Sequence, residues 1–201
     1  MEITTELVKQ LRDKTGISIM QCKRALDEVG GDMDKAIMLL QKKSADIATK
    51  KVDRTLNAGA IASYVHATGT VGTMVELLCE TDFVAKNDEF KSLARDIAMH
   101  ATATNPQFLK KEDIDKHSKD LATEMFAKEV EGLPAQASKP EDMKAKILEG
   151  KLNSYWNERV LLDQVFIKNP EVTITGLIQR AIQKFGEKIE VSRFVRFSVS
   201  E

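Results

Sequence analysis

Glu76-Leu77-Leu78-Cys79-Glu80-Thr81-Asp82-Phe83-Val84-Ala85-Lys86 is the stretch that decides the fold class. From Thr73 to Glu80 the residues alternate, with Val75, Leu77 and Cys79 on one side and Met74, Glu76, Leu78 and Glu80 on the other. That is the two-residue period of a half-buried strand. The alternation stops at Thr81-Asp82. From about Val84 to Thr104, Phe90, Leu93, Ala94, Ile97 and Ala101 recur at helical spacing, and Asn105-Pro106 ends the run. A strand passing directly into a helix predicts a mixed α+β architecture. At the junction, Asp82 is an acid favourably placed at a helix start. By pattern alone, Phe83 reads as ordinary core.

Working outward, Ala60 to His66 predicts a second strand, and Gly69 and Gly72 bracket a hairpin loop. Ile189 to Val199 alternates again: Ile189, Val191, Val195, Phe197 and Val199 share one face, Arg193 is the exception, and Phe194 lies opposite. Val160 to Lys168 is a further strand candidate. Thr175 to Phe185 reads as a helix closed by Gly186. Residues 112–160 form a separate block. A charged helix from Glu112 to Glu131 is broken at Gly132-Leu133-Pro134. A second helix, starting near Pro140, carries Met143, Ile147, Leu148, Leu152 and Trp156. Narrow apolar seams and a short connection predict an antiparallel helical hairpin that serves as an arm. The alternative is a plain pair of helices packed on the sheet.

Residues 1–44 read as three short helices. Thr15-Gly16 stops the first, Ser18 caps the second, Gly30-Gly31 ends it, and Asp32 caps the third. With the Lys-rich stretch from Lys42 to Arg54, this defines an N-terminal module over 1–54, weakly basic, followed by an α+β domain over 55–201, weakly acidic. The Lys-rich stretch is either an anion-binding strip or a solvated helix or linker, diluted by Asp46 and Asp53.

The 201-residue chain has 30 Lys+Arg against 31 Asp+Glu, a net charge of −1, which excludes a polyanion binder held by bulk charge. Aromatic residues make up 5%, too few for stacking platforms on single-stranded nucleic acid. No apolar run reaches the ~18 residues of a membrane span, and Met1 to Glu6 do not read as a signal or transit peptide. Cys22 and Cys79 read as two reduced thiols of a cytoplasmic protein. His66, His100 and His117 share no metal-ligand spacing. The sequence carries no zinc-protease, phosphate-loop or nucleophile-elbow motif. The expectation is a protein that is not an enzyme and needs no metal or cofactor.

Two stretches carry a family resemblance. Leu11-Arg12-Asp13-Lys14-Thr15-Gly16-Ile17-Ser18-Ile19-Met20-Gln21-Cys22-Lys23-Arg24-Ala25-Leu26 closely resembles the N-terminal signature of the elongation factor Ts family. Glu76 to Lys86 resembles the second signature, with Leu78 where the family has a polar or small residue. The likeness extends to Ile97-Ala98-Met99-His100, Glu149-Gly150-Lys151-Leu152 and Arg193-Phe194-Val195-Arg196-Phe197. It implies a ubiquitin-associated-like three-helix module, then an antiparallel sheet with packed helices and an inserted helical hairpin.

In function, the resemblance implies a guanine nucleotide exchange factor for elongation factor Tu. Thr81, Asp82, Phe83 and Val84 would wedge into the GTPase and dislodge its Mg²⁺, and Lys23, His100, Phe166 and Ile167 match further partner contacts. A single core unit resembles the short form of the family, which implies a homodimer. For His100 the alternative is a satisfied core group, for Phe166-Ile167 a buried strand, and for Lys23 a solvated surface residue. The competing functional reading is a protein-interaction adaptor without exchange activity. It uses the N-terminal module and leaves Thr81 to Val84 without a role.

Overall fold

The computed structural model describes residues 3–132 and 140–199. Three helices open the chain: α1 (Thr5–Thr15), α2 (Ile19–Glu28) and α3 (Met33–Thr49). The Thr4, Ser18 and Asp32 side chains each accept a backbone N–H of the helix they precede. Gly16, at φ 68°, closes α1 in the left-handed region that a side chain would resist. Leu11, Cys22, Ala25, Leu26, Ala36 and Leu40 form the core of this module. The third helix is longer than the module needs. Ser44 is buried, and Ile47 and Ala48 pack against the second core. The first part of the Lys-rich stretch is therefore helix, and α3 belongs to both cores.

The second core lies under an antiparallel three-stranded sheet of β1 (Ala58–Val65), β2 (Val71–Cys79) and β3 (Ile189–Ser198), ordered β1-β2-β3. Val75, Leu77 and Cys79 of β2 face inward with Ala58, Ala60, Ala62 and Tyr64 of β1. They pack on α5 (Asp88–Thr104), while α8 (Ile174–Phe185) packs between α3 and β3. The small β1 side chains leave room for α5 to lie close to the sheet.

Three expectations are corrected. First, Ile189 to Val199 does not keep one face. Glu76 pairs with Arg193 but Leu77 pairs with Val191, so Ser192 is an inserted residue, a β-bulge. Before the bulge, Ile189 and Val191 point into the core. After it, Phe194 takes the core side and Val195, Phe197 and Val199 face solvent. Second, Val160 to Lys168 is not a strand of the sheet. Leu161–Asp163 is a 3-10 turn, and only isolated bridges form, Phe108 with Val160 and Val165 with Thr173. Val160-Leu161-Leu162 is a continuous apolar run, and burying it needs no pleat. Third, the helix expected from Val84 is two helices, α4 (Asp82–Ala85) and α5, because extended Asn87 caps α5 by accepting the Glu89 N–H.

The hairpin consists of α6 (Lys116–Gly132) and α7 (Glu141–Asn157). The expected break at Leu133-Pro134 lies outside the described residues. Phe126 meets Tyr155 edge-on at 5.4 Å, and Glu129 pairs with Lys151 at 2.7 Å, so the helices run antiparallel. Each is the other's main packing partner, and α7 has no fully buried residue. That is the packing of an arm. Trp156 sits edge-on to Phe108 at 6.0 Å where the arm joins the domain. No helix of the described residues is long and apolar enough to cross a membrane.

Candidate functional site

Thr81 to Val84 occupies the turn where β2 leaves the sheet. Thr81 is extended and caps α4, its hydroxyl accepting the Val84 N–H at 3.5 Å. Val84 and Ala85 point down into the core. That burial rolls the short helix so that Asp82 and Phe83 point outward. Phe83 is 84% exposed, the most exposed large apolar side chain of the described residues. Asp82 meets only Lys86 across an exposed turn, at 3.2 Å. The pattern-based reading of Phe83 as core is thus replaced by a displayed aromatic, while Val84 is the core residue of the four.

Beneath this turn lies a network with no local sequence signal. The Glu187 carboxylate accepts the backbone N–H of Glu80 at 3.1 Å, the N–H of Thr81 at 3.0 Å and the Thr81 hydroxyl at 2.6 Å. Reciprocally, Glu80 accepts the Lys188 N–H at 2.5 Å and both its oxygens take Arg54 at 3.2 Å. Partial burial raises the Glu80 carboxyl, but the Lys188 amide and the Arg54 guanidinium together hold it below the usual carboxylate range. Cys79, at the end of β2, is buried and its thiol is raised by that burial; both cysteines are free.

The other candidate residues lie elsewhere. Lys23 is exposed on α2, one turn on from Ile19 and Met20, which are exposed too. His100 is fully buried, about 18 Å along α5 from Asp88. Its Nδ1 accepts the Ile167 N–H at 3.4 Å, so its Nε2–H donates to Gln164 Oε1 at 2.9 Å. Gln164 also accepts the Thr104 hydroxyl and donates to the Glu158 carbonyl. Burial lowers the His100 pKa, and the Gln164 bond only partly opposes it. His100 is a satisfied core group, with no free ring nitrogen to offer a partner. Phe166 is buried against it at 6.0 Å, and Ile167 is half exposed beside it. The structure thus groups His100, Phe166 and Ile167 and keeps them apart from Thr81 to Val84.

A further apolar surface appears on the open face of the sheet. Ile61, Val65, Met74, Val195, Phe197 and Val199 are all exposed there. Cross-strand pairing sets Met74 opposite Val195. The bulge in β3 creates this patch by turning Val195 and Phe197 outward. Among the described residues, no group of three or more His, Cys, Asp or Glu side chains could hold a metal ion.

A three-helix module, a small antiparallel sheet, a helical arm and a displayed aromatic at the strand–helix junction define an α+β protein that exposes Phe83 and an apolar sheet face. The family described as Elongation factor TS matches residues 33–201. An elongation factor Ts of Thermodesulfovibrio yellowstonii is 47% identical over 201 residues, covering 100% of this chain and 98% of the relative. Those of Carboxydothermus hydrogenoformans and Thermosipho melanesiensis are 46% and 44% identical, covering 99% of this chain and 90% and 100% of theirs. The chain belongs to the elongation factor Ts family and is a translation elongation factor of protein biosynthesis.

Proposed function

We propose that the protein is the guanine nucleotide exchange factor of elongation factor Tu, acting in the cytoplasm and performing no covalent chemistry. The observation that carries this reading is Phe83, displayed on a turn whose next two residues are locked in the core. An exchange factor must bind the nucleotide-free GTPase more tightly than the nucleotide-bound form; by linkage it then weakens nucleotide by the same factor. Phe83 enters an apolar slot of the GTPase that opens only when the nucleotide site is distorted. Asp82 competes there for the polar groups that support the GTPase's Mg²⁺. Lys23, with Ile19 and Met20, and Ile167 supply further contacts.

The active form is a homodimer joined through the open face of the sheet. Apolar side chains on both faces of a sheet call for cover on both, and the patch from Ile61 to Val199 supports this reading. Such an interface buries about 1,200 Å² or more in total. Position 195 is a valine, so no symmetric disulfide forms there and packing alone holds the dimer.

Mixing the protein with elongation factor Tu carrying fluorescent GDP, in the presence of excess unlabelled nucleotide, tests the function. The release rate rises with protein concentration and saturates. A complex that forms without faster release supports the adaptor reading instead.

A further inference from the structure

We infer that Glu187 is the positioning residue of the Asp82–Phe83 wedge, acting through Thr81 from the turn between α8 and β3. The inference rests on the reading of Thr81 to Val84 as the wedge. A four-residue helix cannot hold its own geometry, since helix nucleation is unfavourable and so short a segment has almost no propagation to offset it. Phe83 and Asp82 are exposed, so packing does not aim them. What orients the turn is its two ends. Val84 and Ala85 are anchored in the core at one end. At the other, one carboxylate takes three donors: the amides of Glu80 and Thr81 and the Thr81 hydroxyl.

The hydroxyl bond matters most. Thr81 has one hydroxyl proton, and Glu187 Oε1 takes it at 2.6 Å. The hydroxyl oxygen is then committed as an acceptor, and it caps α4 through the Val84 N–H. Glu187 therefore sets the cap that starts the wedge helix. Charge-assisted bonds of this kind are roughly twice as strong as neutral ones. The turn bearing Glu187 is itself held. Gly186 closes α8 at φ 72°, Lys51 donates to the Gly186 carbonyl at 2.6 Å, and the Lys188 ammonium donates to the Val52 carbonyl at 2.6 Å. Glu80 returns the contact by accepting the Lys188 amide. Two carboxylates thus cross between the end of β2 and the start of β3, and only that of Glu187 touches Thr81.

The test compares Glu187→Ala, Glu187→Gln, Phe83→Ala and the Glu187→Ala/Phe83→Ala double variant. Release of fluorescent GDP from elongation factor Tu is followed against protein concentration, with a thermal melt of each variant. Glu187→Ala lowers the maximal release rate about tenfold, a factor that corresponds to 1.4 kcal/mol. It leaves the half-saturating concentration within about twofold, the split expected when an interaction made only in the exchange transition state is lost. Glu187→Gln keeps an acceptor for the two amides and falls between Ala and the parent. In the Phe83→Ala background Glu187→Ala costs clearly less than the tenfold it costs the parent, because Glu187 acts through the wedge and only the aim of Asp82 is left to lose.

The inference is overturned if Glu187→Ala keeps the parent's maximal rate while Phe83→Ala is slow. It is equally overturned if Glu187→Ala slows Phe83→Ala by the same factor as it slows the parent, or if its rate loss merely tracks a collapsed melting temperature. A Phe83→Ala variant as fast as the parent marks failure of the wedge reading itself, and the inference falls with it.

Discussion

Phe83→Ala separates surface from core in a single residue. A fully buried Phe side chain is worth ~1.5–3 kcal/mol of burial. At 84% exposure, Phe83 retains about a sixth of that, roughly 0.2–0.5 kcal/mol. Alanine recovers about 0.5 kcal/mol of helix propensity at the same position. The two nearly cancel, so the melting temperature stays within about 2 °C of the parent, given ~2–4 °C per kcal/mol at this chain length. Phe90, fully buried on α5 with its ring edge-on to Phe185 at 6.3 Å, is the control. Phe90→Ala loses ~3–5 kcal/mol, a fall of about 6–20 °C by the same conversion. Circular dichroism melts and GDP-release kinetics on both variants complete the test. Phe83→Ala melts like the parent and exchanges about tenfold more slowly or worse, a loss of 1.4 kcal/mol or more. If it melts like Phe90→Ala, or exchanges like the parent, the reasoning about the displayed aromatic is wrong.

Two further outcomes follow from other parts of the molecule. Light scattering reports a dimer for the parent and a monomer for Val195→Asp/Phe197→Asp; a parent that is monomeric at tens of micromolar and fully active refutes the sheet-face dimer. Because burial depresses the folded-state pKa of His100 below the ordinary 6.5, its neutral form favours the fold. Its contribution is complete above that value and is lost as pH falls through the folded pKa, so the melting temperature declines below about pH 6.5. His100→Gln removes that part of the slope, and an unchanged slope argues that His100 does not titrate there.

What could be read in advance was local. Ser18, Asp32, Gly16, Asn105 and Gly186 mark helix ends by side-chain and backbone chemistry within a few residues, and each stands at an observed cap. Asn87 is the same kind of signal, masked by the apolar periodicity that continues on both sides of it. The bulge in β3 was hidden for a different reason. Alternation within one strand does not reveal an inserted residue, which is defined only by pairing with Glu76 and Leu77 of another strand. Arg193, the one residue out of pattern, was its only trace. The role of Glu187 was wholly illegible, because its contact with Thr81 spans 106 residues and joins a side chain to backbone amides. At the site, the Thr81 to Val84 stretch was legible as a motif. That Phe83 points out and Val84 in depends on packing beneath α4, which no local pattern encodes.

The central claim is unequal affinity. An adaptor binds elongation factor Tu alike in either nucleotide state; an exchange factor cannot. Calorimetric titration of the protein into nucleotide-free and into GDP-bound elongation factor Tu measures this directly. The account predicts tighter binding to the nucleotide-free form by about a hundredfold or more, a coupling of roughly 2.7 kcal/mol. Equal affinities for the two forms would contradict it.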